Sequence, residues 1–231
     1  NMLGERLNID KNVLSQYIKT LKLDVVTNTS KVVSMCLYGD DPRYTYGAIH
    51  NANLMLIVFP GWTIRFYIEK PNNGKTKFPQ VPQNIVDKLT NLPHVEVFLI
   101  DTGIIKTPPM MWRFLVLDDY HIDYFIVRDA DSRLLKRDFD IVNEWIKTGK
   151  AFHCVRDHPS HASNPVFGGL WGGRLPHLRQ LITIPMADLT SGLKDGYFND
   201  IAFMTNMIWP KVQRYCYCHD SVSCSKWVNA Y

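Results

Sequence analysis

The 231-residue chain has no long apolar run. Its best candidate, Leu54 to Pro60, falls far short of the ~18 residues that a membrane-spanning helix needs, so no span is expected. It also lacks a strong charge bias. Lys plus Arg number 26 against 22 Asp plus Glu, a net +4, too small an excess to mark a nucleic-acid or membrane surface. Cysteines are few, five in all, and an odd number does not close into a disulfide framework. A reducing compartment, the cytoplasm, is the expectation. There is no basic-then-apolar opening of a secretory signal, no internal repeat and no low-complexity tract. The chain opens at Asn1, which reads as a piece of a longer multidomain protein.

What is present is ordinary for a globular protein: 46% hydrophobic and 21% charged residues exclude a disordered chain. Residues 1–30 read as a helical leader or linker. Leu14, Ile18 and Leu21 share one helical face, and Thr27 to Ser30 form a polar break. The main domain is expected over 31–231. Buried or alternating strands are predicted at Lys31–Tyr38, Thr63–Glu69, Val95–Ile100, Asp123–Val127 and Ala151–Val155. Helical patterns at Tyr46–Val58, Gln83–Leu92, Pro108–Leu117 and Asp138–Lys147 separate them, the last ended by Gly149. A further helix is expected around Asn199 to Trp209, within a loop-rich remainder. Alternating strands and helices imply a mostly parallel sheet covered on both faces. Ligands of such sheets collect at the carboxyl ends of strands. Two polar clusters fall there, Gly39-Asp40-Asp41 and Asp129-Ala130-Asp131.

The sharpest feature is FIVRDADSRL, residues 125–134, where an apolar strand runs into carboxylates at i and i+2. In extended backbone those side chains leave on the same side. Two like charges held together are costly unless a cation joins them, and Mg²⁺ or Mn²⁺ commonly shares such oxygens with substrate phosphates. The alternative is a solvated acidic turn with Arg128 and Arg133 as salt-bridge partners.

With that motif, the chain resembles nucleotide-sugar glycosyltransferases of the GT-A fold, in particular a loosely characterised bacterial and viral glycosyltransferase-like family. The blocks VVSMCLYGDDPRYTYGAIHNA, MMWRFLVLDD, RDADSRL, EWIKTG, RDHP followed by FGGLWGG, and HDSVSC carry the likeness, from about Lys31 to Cys224. The resemblance implies a GT-A, Rossmann-like α/β domain. It would transfer a sugar from a nucleoside diphosphate sugar, by default a UDP-sugar, to a glycan or protein acceptor, with no nucleic acid beyond the donor's nucleotide. Mn²⁺ or Mg²⁺ is the implied cofactor. Asp131 would ligate the metal, Asp129 would orient the sugar or ribose or touch the metal, and His219 would complete the metal site. Tyr38 and Gly39 would lie beside the nucleotide, and Arg128 and Arg133 near its pyrophosphate. Gly168, Gly169 and Trp171 would contact the donor sugar, and Asp200 would touch it or act as base.

Each residue also has a plain structural role open to it. Tyr38-Gly39 could be a strand-ending turn, Trp171 a core side chain, Asp200 a helix-end carboxylate, and His219 a hydrogen-bonded strand residue. Cys216, Cys218, His219 and Cys224 suggest zinc, but their spacing matches no common module. His158 and His161 read as surface or acceptor-side residues. Two other functions remain open. One is an inactive sugar-binding or scaffold domain. The other is a sugar nucleotidyltransferase, for which the chain lacks a Gly-rich, Lys/Arg-bearing loop after the first strand.

Overall fold

A computed structural model describes residues 29–71 and 77–223. The expected leader falls almost wholly outside the described residues, as does Cys224. The strands are β1 (Lys31–Leu37), β2 (Thr63–Glu69), β3 (Val95–Ile100), β4 (Tyr124–Val127), β5 (Phe152–Arg156), β6 (Trp171–Arg174) and β7 (Cys216–Asp220). They form one sheet in the order β3-β2-β1-β4-β6-β5-β7. The pairs β1–β2, β1–β4, β2–β3 and β5–β7 are parallel, and β6 runs antiparallel to both β4 and β5. This is the expected α/β class, a mostly parallel sheet flanked by helices.

Strands covered on both faces read as near-continuous apolar runs, and β1 is one from Val32 to Leu37, interrupted by buried Ser34. Val32 and Cys36 enter one core, while Val33, Met35 and Leu37 enter the other. The second core is closed by α1 (Pro42–Val58), α2 (Gln83–Thr90) and α3 (Lys136–Thr148). The first is closed by a 3-10 segment, Pro109–Asp118, and by the chain after β6.

Two parts differ from the expectation. FGGLWGG, placed in the loop-rich remainder and expected at the donor sugar, ends in strand β6. A Cβ on Gly172 would meet Phe125 O at 2.6 Å, and one on Gly173 would press on the Phe125 ring at 2.8 Å. These glycines bring β6 close to β4, so the near approach is to protein, not ligand. The Pro108–Leu117 pattern is not an α-helix but the buried 3-10 segment, whose carbonyl at Arg113 accepts from Ser34 Oγ at 2.7 Å.

The sheet turns direction between β1 and β4. From β1 the chain steps outward to β2 and β3, then returns to the other side of β1. The crevice at the carboxyl ends of those two strands is the switch point where such sheets place ligands. No helix among the described residues is long and apolar enough to cross a membrane.

Candidate functional site

The loop after β4 is built before any ligand is considered. Asn51, fully buried on α1, donates from Nδ2 to Ala130 O at 3.2 Å and Ser132 O at 2.8 Å, and accepts from Leu134 N at 3.1 Å. Gly47, one turn earlier, touches the same loop so closely that a Cβ there would overlap Ala130 O. α1 is itself anchored by Asp41, whose carboxylate caps Arg43 N at 2.8 Å, with Pro42 in its first turn. One helix therefore fixes the backbone that carries Asp129 and Asp131.

The centre of the site is Arg113, on the 3-10 segment. Its guanidinium binds Asp129 through Nη1 and Asp200 through Nη2, the latter at 2.8 Å. Burial alone would lower the Arg113 pKa, but the carboxylates of Asp129 and Asp200 reverse the sign and keep it charged. Its buried Nε has no partner among the described residues. Asp129 is 40% exposed at the side chain and Asp200 only 9%. Asp129 is thus the acid of this trio that opens to solvent. Gly168 and Gly169 back the pair. A Cβ on Gly168 would overlap Asp200 Oδ2, and one on Gly169 would overlap Asp129 Oδ2. Cys36, also close by, is pushed up to about 11 by burial and stays a thiol.

Asp131 pairs with Arg43 at 2.6 Å, an arginine that is 70% exposed. Arg133 is exposed and donates to Ala130 O and Asp131 O, both at 3.3 Å. Tyr38 follows β1 and packs at a tilt on Phe78 at 4.7 Å and edge-on to Trp112 at 6.2 Å. Phe78 and Trp112 line a cavity of about 400 Å³, with Thr107, Lys106 and Asp195 among its other walls. Burial raises the Tyr38 pKa, so its hydroxyl stays protonated. Gly39 turns the chain with φ +75 beside open space.

The structure brings Asp129, Asp131, Asp200, Gly168, Gly169, Tyr38 and Gly39 to this end of the sheet. It places three other expected residues elsewhere. Trp171 is fully buried, packed on Phe114, Phe125 and Phe152, with Nε1 donating to Gly168 O, so neither ring face is open to a sugar. Arg128 is buried, and bonds Asp138 of α3 at 3.0 Å and Val127 O at 2.8 Å. It supports the α3 start instead of reaching a pyrophosphate. His219 lies on β7, with Nδ1 on His153 at 2.9 Å and Nε2 on Glu144 at 3.2 Å. Both ring nitrogens are engaged there, away from Asp131.

The zinc set fails on strand geometry. Cys216 and Cys218 point to the buried face, where Cys216 lies 3.4 Å from Cys154, while His219 points to the opposite face with Tyr217. Among the described residues, no three His, Cys, Asp or Glu side chains are grouped to hold a metal. Two carboxylates without a third ligand do not make an all-protein cage. They suit a hard cation shared with substrate phosphates.

Sequence reasoning missed Arg113, Asn51 and Arg43. Arg113 had a usable signal: it is the one charge in MMWRFLVL, and a charge buried in an apolar segment must find partners.

No family model matches the chain, and no curated protein does. Among solved structures, residues 1–349 of S. aureus TarS, a glycosyltransferase, match 71% of this chain and 52% of that one, at 12% identity and a TM-score of 0.48. The matched part spans about half of the TarS chain, and the likeness is too distant to carry a function.

Proposed function

We propose that the chain is a glycosyltransferase acting on a nucleoside diphosphate sugar, a UDP-sugar by default, with a glycan or protein hydroxyl as acceptor. The observation that carries this reading is the Asp129–Arg113–Asp200 cluster at the β1/β4 switch point, beside an aromatic-walled cavity. In the reaction, the bond from the anomeric carbon to the diphosphate breaks and its electrons leave with the diphosphate. A bond to the acceptor oxygen forms, and that oxygen's proton passes to a carboxylate. Asp129 is the acid assigned to contact with the donor sugar. Asp200, nearly enclosed, holds Arg113 and through it Asp129, which shifts the base role toward Asp129 or the substrate itself. Tyr38 and the cavity beside it would take the nucleoside, and exposed Arg133 would face the diphosphate.

A divalent ion would be held by Asp131 and Asp129 together with the donor's phosphates, and when bound would stabilise charge on the leaving diphosphate. With His219 bonded to His153 and Glu144, the ligands assigned to the ion are oxygens, which suit Mg²⁺ and Mn²⁺ alike.

A second reading, a nucleotide-sugar-binding domain without turnover, is favoured by one observation. Asp129 and Asp131 are each already paired with an arginine. One experiment separates the two. A panel of nucleotide sugars is tested with Mn²⁺ or Mg²⁺ for thermal stabilisation and for donor hydrolysis. A ligand at 100 times its dissociation constant adds about 2.7 kcal/mol. Stabilisation with hydrolysis supports the transferase, stabilisation alone supports the binding domain, and neither overturns both.

A further inference from the structure

Two aromatic rings project into solvent beside the site. Tyr197 is 81% exposed and Phe198 61%, with ring centroids 4.3 Å apart. Phe198 has φ +69 and is the one non-glycine residue with positive φ among the described residues. For a bulky side chain that backbone is strained, and the exposed ring recovers little of the cost by burial. Strain of this kind, held where it does not help packing, points toward function.

The surrounding contacts hold the strained segment in place. Asp195 is bound to Lys77 at 2.8 Å, and Asp200 to Arg113 at 2.8 Å. Between them Asn199 Nδ2 donates to Lys194 O at 2.8 Å, and a Cβ on Gly196 would come within 2.8 Å of that same Nδ2. The turn sends Asp200 inward while Tyr197 and Phe198 face out. Phe198 and Asp200 are two residues apart, so their backbones lie within roughly 7 Å. From the other side, the ring of exposed Tyr44 on α1 lies 5.7 Å from the guanidinium of Arg43, which is bound to Asp131.

We propose that Tyr197 and Phe198 form the acceptor subsite, and that the acceptor is a glycan, not a polypeptide. This rests on the glycosyltransferase reading above. A pyranose presents a patch of C–H groups on one ring face and hydroxyls around its rim. Exposed aromatic rings with few rotatable bonds match the C–H patch at low entropic cost, while the acids a short distance away can meet the rim hydroxyls. A polypeptide acceptor is the competing outcome, which the test below separates.

The test uses saturation-transfer NMR with a panel of methyl pyranosides on the whole chain, and the nucleotide-sugar thermal shift in the same samples. The wild-type protein is expected to saturate ring C–H protons of at least one pyranoside. Tyr197→Ala and Phe198→Gly, the latter compatible with the positive φ, should each cut that signal at least fivefold. Tyr215→Ala, exposed but remote from the site in sequence and on another segment, should retain it. No pyranoside signal from wild-type protein, or a signal indifferent to both substitutions, overturns the subsite. So does sugar transfer from the donor to a peptide library but to no pyranoside. Absence of any donor thermal shift in wild-type protein, with Tyr197-dependent pyranoside binding intact, overturns the transferase reading and leaves a glycan-binding platform.

Discussion

Arg113 and Arg156 are both buried, and each is bound to aspartate, yet their surroundings differ. Arg113 reaches Asp129, which is 40% exposed, and also Asp200. Arg156 donates from Nε to Asp220 at 2.7 Å, and neither side chain has exposed surface. Asp220 further accepts from Val222 N and from Ser223 N and Oγ. One cluster stands at the switch point with an open acid. The other is closed to solvent, where β5 and β7 pair. The same residue types therefore stand open to solvent where the sheet opens and enclosed where it is shut.

The largest expected effect tests the closed cluster. Asp220→Ala removes the carboxylate bound to buried Arg156, which should cost about 3–5 kcal/mol in urea unfolding. Acid should mimic it. Burial would raise the Asp220 pKa, but the bonds from Ser223, Arg156 and Val222 outweigh this and hold it at about 2. A depressed carboxylate contributes stability above its unfolded pKa of roughly 4. That contribution should fall away as pH drops from there toward 2. A flat stability profile across that window would remove Asp220 from the stabilising column.

Next in size, Gly169→Ala should strike the open cluster through geometry alone. The added methyl must displace Asp129 from Arg113, and a misplacement of about 1 Å near reacting atoms costs on the order of 100-fold in rate. Donor hydrolysis measured at saturating donor checks this; a rate within threefold of wild type would mean Asp129 is not at the reacting centre.

Asp131→Ala should lower transfer at least tenfold while changing unfolding free energy by no more than about 1 kcal/mol, because its Arg43 pair is at the surface. More than a tenth of the wild-type rate in the variant would argue against Asp131 as a metal ligand.

The smallest effect is expected at His219. His219→Ala removes hydrogen bonds to His153 and Glu144, and should reduce stability by about 1 kcal/mol. The Mn²⁺ dependence of activity should match wild type. A weakened Mn²⁺ response, restored by excess metal, would return His219 to the metal site and blur the contrast between the two regions.

Much of the fold was legible in the sequence because its signals are local. The spans Thr63–Glu69 and Val95–Ile100 recur as strands with unchanged limits, since apolar runs bounded by turn residues report burial within a few positions. The Asp-x-Asp pair at the end of β4 was readable for the same reason: a buried strand cannot continue into two carboxylates. β6 was hidden because glycine carries no periodic signal, and its strand character comes from pairing with β4 and β5.

By itself, then, the sequence determined the alternation of strands and helices, the α/β class and the acids at the end of β4. Tertiary structure alone decided which charges meet. Arg113 and Asp200 are 87 positions apart, and His219 finds His153 across 66. Such pairings follow from strand order and register, and no local pattern encodes whether a histidine on an edge strand turns toward a metal or toward a helix.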